Sequence, residues 1–184
     1  MDVFDFFLIL VTCANCGFKS TRQEIYSDIS VAIDGVQSTS EAVNRFFTPV
    51  EIEYECQLCK DKNKQATLAT TLDSIPKNIV IHLKRFDGGF RKNRKKVDLD
   101  HKLNLRRFVS EGKVLEDKAE LFAVIFHYGK SCKSGHYYCF IKFGQHWFQI
   151  DDMKVKSVTE LALKNSVDQE YLLFFKTLPR PYIT

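Results

Sequence analysis

His136 and the carboxylates Asp151 and Asp152 are the residues of this chain whose types and spacing could do chemistry. They lie in Ser134-Gly135-His136-Tyr137-Tyr138 and in Trp147-Phe148-Gln149-Ile150-Asp151-Asp152, two segments of strand-like composition. A histidine that accepts a proton and a carboxylate that orients its imidazole are the base and orienter of a nucleophilic catalyst. Gly135 leaves room for another chain to approach the histidine closely. The plainer alternative is a structural histidine in a β-rich core, and the residues alone leave both readings open.

The nucleophile is harder to find. Of the six cysteines, only Cys132 and Cys139 lie outside two close-spaced pairs. On a strand starting near His136, alternation turns Cys139 to the opposite face, beside Tyr137 and Ile141, as a small buried hydrophobe. Cys132 falls in a loop four residues before His136, with no helix N-terminus to lower its thiol pKa. A serine nucleophile stays open, although no Gly-x-Ser-x-Gly elbow is present. The chain thus carries a base and an orienter without their partner.

The pairs are Cys13-x-x-Cys16 and Cys56-x-x-Cys59, each entered by an extended segment, with Gly17 helping the chain reverse after the first. Two short-spaced pairs brought together by a fold are what four thiolates around a tetrahedral Zn²⁺ require. The 39 residues between Cys16 and Cys56 exceed the spacing of compact zinc fingers, so the site would join distant parts of a larger structure. Disulfides, reduced cysteines without metal and redox chemistry are the rival readings, and an intracellular chain disfavours the first.

The elements that must position these groups are mostly strands. Phe6 to Thr12 reads as a buried strand, and Thr21 to Ile33 as an extended run with Ile25, Ile29, Val31 and Ile33 at one parity. Ser38 to Glu41 offers N-caps for a short amphipathic helix through Ala42, Val43, Phe46 and Phe47, which Thr48-Pro49 ends. Strands are expected over Glu51 to Glu55, Ala66 to Ile75, Asn78 to Phe86, Leu121 to Tyr128, Tyr137 to Phe143, His146 to Ile150 and Tyr171 to Lys176. Val158 to Leu163 reads as a helix.

Composition sets the outer bounds. The 184 residues suit one domain, and 45% apolar with 13% aromatic content describes a packed β-rich globule. A net charge of +4 does not indicate nucleic-acid binding. The basic run from Arg91 to Lys96 follows Gly88-Gly89; it reads as a solvated hairpin loop, a patch for an acidic partner or a nuclear-import signal. The apolar N-terminal run is far short of the ~20 residues that span a bilayer. Asp2 and Asp5 stand where a secretory signal carries positive charge, so a soluble intracellular chain is expected. A chain that opens inside a strand is expected to continue a domain begun further upstream.

The ordered motifs resemble one known family. Tyr54-x-Cys56-x-x-Cys59, Ile75-Pro76-x-x-Ile79-x-Ile81-His82-Leu83-Lys84-Arg85-Phe86 and His127-Tyr128-Gly129 come first. Gly135-His136-Tyr137-Tyr138, Trp147-x-x-x-Asp151-Asp152 and Tyr171-Leu172-Leu173-Phe174-Phe175 follow. Together they are similar to the C-terminal part of the ubiquitin-specific proteases, thiol peptidases that remove ubiquitin from proteins. The resemblance implies an α+β, papain-like cysteine peptidase fold present in part: an antiparallel-sheet palm (about 76–178), β-rich zinc-ribbon fingers (about 6–75) and few short helices. It implies His136 as general base, Asp151 as its orienter and Asp152 as an auxiliary polar group near the oxyanion site. Cys13, Cys16, Cys56 and Cys59 become ligands of a structural Zn²⁺, on fingers that grip ubiquitin. Leu83 to Phe86 and Phe126 to Tyr138 fall near the channel for the Gly-Gly tail of ubiquitin. Ubiquitin and ubiquitinated proteins are the implied partners, with neither nucleic acid nor membrane, in cytoplasm or nucleus. The family's N-terminal thumb, with its nucleophilic cysteine on a helix N-terminus, has no counterpart in these residues. A thumb-less fragment of a deubiquitinase and an inactive ubiquitin-binding module are therefore the competing expectations, ahead of a plain zinc-stabilised structural domain.

Overall fold

Two β-sheets, each assembled from separated stretches of sequence, carry the cysteine pairs and the His–Asp pair. The structure, a computed structural model, describes residues 5–60, 65–86, 91–110 and 118–178. The smaller sheet contains β1 (Asp5–Cys13), β2 (Lys19–Tyr26), β4 (Val50–Glu53) and β5 (Gln65–Ser74), in the antiparallel order β2-β1-β5-β4. The larger contains β3 (Ile29–Ala32), β6 (Asn78–Lys84), β8 (Lys118–Ser131), β9 (Ser134–Phe143), β10 (His146–Asp151), β11 (Lys154–Val158) and β12 (Gln169–Thr177). Its order is β11-β10-β9-β8-β12-β6-β3, and the short β7 (Lys102–Asn104) adds to β8. Among the named strands every pairing is antiparallel except β3 with β6.

Several expectations change here for physical reasons. The extended run from Thr21 to Ile33 is two strands in different sheets. Ser27 and Asp28 break it, and the Ser30 hydroxyl donates to Asp28 Oδ1 at 2.6 Å across the turn. Ile29, Val31 and Ile33 are fully buried, whereas Ile25, still on the smaller sheet, is 63% exposed. Residues 29–47, which a division near residue 75 groups with the fingers, thus contribute an edge strand to the larger sheet and a helix, α1 (Thr39–Phe47), packed on β3 and β5. β1 is half-buried rather than a core strand. From Phe7 to Cys13 only those two end residues are buried, because the smaller sheet meets the core at its base, where Phe7 packs on Phe46 and Phe47. β11 has no signature in the sequence, since Lys154, Val155 and Lys156 are all exposed. Val158 closes that strand, and helix α2 (Glu160–Lys164) starts only after the Thr159 cap.

One core serves the molecule. The Ile79, Ile81 and Leu83 face of β6 joins Val124, Phe126, Phe140, Trp147, Leu173 and Phe175. Ala42, Val43 and Phe47 of α1 close over it, with Phe47 stacked on Phe108 at 4.4 Å. Each such side chain withdrawn from water contributes about 1.5–3 kcal/mol. Ser38 caps α1 by accepting from the Glu41 amide, and the Glu41 carboxylate accepts from the Gln37 amide, close to a capping box. Thr48, extended before Pro49, ends it.

Candidate active site and metal-binding cluster

Antiparallel pairing of β9 with β10 is what brings His136 and Asp151 together. The ladder runs to Cys139 opposite Ile150. One further step sets Asp151 opposite Tyr138, and His136, two residues along the same face, becomes its diagonal neighbour. His136 Nε2 lies 2.5 Å from Asp151 Oδ1. That bond occupies Nε2, and among the described residues no hydrogen bond is made to Nδ1. The imidazole is pushed above the ordinary histidine value, first by this hydrogen bond and then by the Asp151 and Asp152 charges, with burial opposing.

Asp152 occupies the β10–β11 turn at φ +51, a left-handed conformation that Asp tolerates better than most side chains. Its exposed carboxylate falls within 4.8 Å of a His136 ring nitrogen and the Asp151 carboxylate. A cleft of about 670 Å³ opens beside the pair, lined by Arg94, Tyr128, Lys130, Gly135, His136 and Asp168 among others. Its far rim is pinned by Tyr138, whose hydroxyl donates to Asp168 Oδ2 at 2.8 Å and lies 2.9 Å from Ser166 Oγ. Burial raises that phenol above its ordinary value, keeping it a neutral donor.

The two unpaired cysteines stay apart from this site. Cys139 turns away from His136 into the outer face, opposite Ile125 and Ile150, and burial pushes its thiol up. Cys132 is exposed at the β8–β9 hairpin. Among the described residues neither thiol hydrogen-bonds His136.

The other four cysteines converge at the far end of the smaller sheet. The end of β1 and the turn after it deliver Cys13 and Cys16, and the segment after β4 delivers Cys56 and Cys59. Cys13 Sγ lies 3.7 Å from Cys59 Sγ, and Cys16 Sγ 3.6 Å from Cys56 Sγ, too long for disulfides. All four sulfurs lie within 4.8 Å of one another, a cluster that could hold a metal ion. Each knuckle ends on a left-handed residue directly after its second cysteine, Gly17 at φ +71 and Lys60 at φ +50. Asn15 Nδ2 donates to Cys59 Sγ at 3.6 Å. Amides of Cys59 and Leu58 pull the Cys56 thiol down to about 7. The Phe18 backbone pulls Cys16 the same way, but burial and the neighbouring sulfurs push it up to about 12. A bound cation would favour the thiolate form of all four.

Sequence patterning missed three supports of the site. Arg85, 1% exposed, donates through Nη2 to Glu170 Oε2 at 2.8 Å and through Nε to the Glu170 carbonyl. Its Nη1 donates to the Asn93 and Lys95 carbonyls, so a buried ion pair pins part of the basic run from Arg91 to Lys96 to β12. Lys92 Nζ donates to the His127 carbonyl. His127 itself is buried beneath the β8–β9 hairpin. The Lys-Arg-Phe run at 84–86 was the available signal for the first and the His127-Tyr128-Gly129 motif for the third; nothing local singled out Lys92 from the basic run.

Comparison with known proteins places these features in a family. The family model for ubiquitin carboxyl-terminal hydrolase matches residues 2–175. The chain is 34% identical over 173 residues to ubiquitin carboxyl-terminal hydrolase 23 of Arabidopsis thaliana, covering 90% of this chain and 20% of that protein. It is 32% identical over 171 residues to ubiquitin carboxyl-terminal hydrolase 17-like protein B of Mus musculus, covering 90% of this chain and 36% of the relative. The chain thus spans between a fifth and about a third of these relatives. In fold it matches a chain of the yeast SAGA DUB module with a TM-score of 0.86 at 23% identity, over 97% of this chain and 42% of the other. A chain of the SAGA DUB module bound to monoubiquitin matches at 0.84 and 23% identity, over 97% and 41%.

Proposed function

The chain belongs to the ubiquitin carboxyl-terminal hydrolase family, and from that premise we propose that it is the fingers-and-palm part of a thiol-dependent deubiquitinase. The smaller sheet is the fingers and the larger the palm. The observation that carries this reading is the His136–Asp151 pair at 2.5 Å, with Nδ1 left free beside an open cleft.

In this reading His136 is the general base and the thiol comes from a segment outside these residues, since Cys132 and Cys139 are placed elsewhere. His136 Nδ1 takes the thiol proton, and the thiolate adds to the carbonyl carbon of the isopeptide at the C-terminal glycine of ubiquitin. The imidazolium returns the proton to the departing lysine amine as the C–N bond breaks, leaving a thioester. His136 then deprotonates water, which hydrolyses the thioester and frees the ubiquitin carboxylate. Asp151 holds the ring and stabilises the imidazolium, the role its hydrogen bond already performs. The Asp152 charge favours the His136 imidazolium, and Asp152 is an auxiliary polar group near the oxyanion site.

Zinc is the ion we assign to the cysteine cluster. Thiolates 2.3 Å from a tetrahedral Zn²⁺ stand about 3.8 Å apart, close to the two sulfur separations found. Cys13, Cys16, Cys56 and Cys59 would hold it, and it would act as a structural cross-link between β1 and the segment after β4.

A ubiquitin probe carrying a C-terminal electrophile tests the reading together with binding of unmodified ubiquitin. The expected result is binding without covalent capture by the chain alone. Labelling of Cys132 or Cys139, mapped by mass spectrometry, overturns the placement of the nucleophile. Absence of ubiquitin binding even at high micromolar concentration overturns the assignment as a ubiquitin-recognising part. The second reading, an inactive ubiquitin-binding module, is favoured by the separation of both remaining thiols from His136. It predicts that binding persists when His136 is replaced.

A further inference from the structure

The neck of the β8–β9 hairpin is built around a single buried imidazole. Pairing runs from Ala123 opposite Ile141 to Tyr128 opposite His136, then breaks until Ser131 meets Ser134. Under this break lies His127, 1% exposed, with ring centroids of Tyr137 at 4.7 Å, Phe86 at 5.5 Å and Tyr171 at 6.5 Å. Two glycines close over it. A Cβ on Gly135 would stand 2.1 Å from His127 Nε2 and 2.6 Å from the Tyr128 carbonyl oxygen. A Cβ on Gly129, whose φ is +151, would stand 2.7 Å from the Ser134 carbonyl and 3.0 Å from His127 Cε1. The chain therefore rests directly on the imidazole edge one residue before His136.

The imidazole is itself held from outside the hairpin. Lys92 Nζ caps the His127 carbonyl, and the loop bearing Lys92 is fixed by the Arg85 bonds to Asn93 and Lys95. Among the described residues His127 Nδ1 is buried without a hydrogen-bond partner, which favours the neutral ring. Burial, then Lys92, press the same way.

We propose that His127 is a positioning residue for His136: its ring seats Gly135 and so sets the height at which His136 Nε2 meets Asp151. This rests on His136 as the general base, but the contact is testable without catalysis. A ring that merely filled space could be trimmed without moving His136. A seat cannot, because the strand above would sink or tilt and the 2.5 Å bond to Asp151 would lengthen.

The experiment is NMR titration of the full chain loaded with zinc, reading the pKa and tautomer of His136. Wild type should show the Nε2–H tautomer in the neutral ring and a pKa above the ordinary 6.5. Asp151→Asn marks complete loss of the charged bond. His127→Ala should lose the tautomer preference and move the His136 pKa toward the Asp151→Asn value. His127→Asn, which reaches only to the place of Nδ1, should follow it. His127→Gln carries an amide atom to the place of Nε2 and should restore the wild-type values. Should the alanine variant not fold, the asparagine and glutamine pair decides. A folded His127→Ala or His127→Asn with wild-type His136 pKa and tautomer overturns the proposal. So does a His127→Gln variant as shifted as the asparagine one. Ubiquitin binding, measured in parallel, reports on the deubiquitinase reading separately.

Discussion

The two sheets solve the same problem, holding reactive side chains in place, by different means. In the larger sheet His136 and Asp151 sit on adjacent strands above a deep apolar layer, and the bond between them is set by strand register and packing. In the smaller sheet β1 is only half-buried, and the cysteine cluster lies at the end farthest from the core. There is little apolar burial to hold that end together. The contrast teaches that geometry fixed by burial needs many residues spread along the chain. Geometry fixed by coordination, as proposed for the cysteine cluster, needs four and would depend on one ion.

The largest test of this contrast is removal of the zinc proposed for the cysteine cluster. Chelation or Cys56→Ser should abolish stoichiometric zinc and release the outer parts of β1, β4 and β5. Structural tetrathiolate-type sites account for about 10–16 kcal/mol of apparent binding energy at neutral pH. Amide hydrogen exchange should show lost protection from Val11 to Phe18 and from Ile52 to Lys60, with β6, β8 and β12 still protected. Equal loss in both sheets would show that they do not differ in this way.

The next effect belongs to the larger sheet. Arg85→Met leaves Glu170 buried without its cation and should cost about 3–5 kcal/mol in urea unfolding. Arg85→Met with Glu170→Leu should recover most of it. A double variant as unstable as the single would mean that the Arg85 bonds to loop carbonyls, not charge burial, dominate.

Acidification should also act on the larger sheet. His127 and His82 lie below the ordinary histidine value, in each case first because burial disfavours the imidazolium. A depressed folded value stabilises the fold above the unfolded pKa of 6.5, and the contribution is lost as pH falls below it. His136 is raised, so its contribution is present below 6.5 and is lost as pH rises through its folded value. Urea midpoints should fall from pH 7.5 to 5.5, less so in His127→Gln; an unchanged pH slope in that variant would remove His127 from the account.

The smallest effects compare like with like. Ser38→Ala removes the α1 cap and should cost about 1 kcal/mol in thermal unfolding. In the knuckles, Gly17→Ala meets no atom within 4 Å, so its cost is the left-handed backbone alone, about 1–2 kcal/mol. Lys60→Gly relieves that same strain at the equivalent position and should leave stability within about 0.5 kcal/mol or raise it. Metal-dissociation midpoints of the two variants measure the difference, and equal costs would mean that the knuckles are not equivalent.

Much of this was legible because it is local. Ser38 and Glu41 announced the start of α1, Pro49 its end, and Ile79, Ile81 and Leu83 the buried face of β6. What misled was also local: Ile25 shares the parity of Ile29 and Val31, yet the turn at Ser27-Asp28 sends it to a different sheet. β11 was invisible because its residues are exposed, so no burial pattern was written into them.

By itself the sequence determined the chemical inventory: two Cys-x-x-Cys knuckles, one histidine after a glycine, one Asp-Asp after a tryptophan, and the order of motifs that marks the family. Only tertiary structure decided that Asp151 takes Nε2 of His136 and leaves Nδ1 free, that the four sulfurs converge, and that His127 lies beneath Gly135. Local patterns specify which face of a strand is buried. Which strands become neighbours, and in what register, follows from closing one core over residues more than a hundred positions apart, and no short window of sequence contains that constraint.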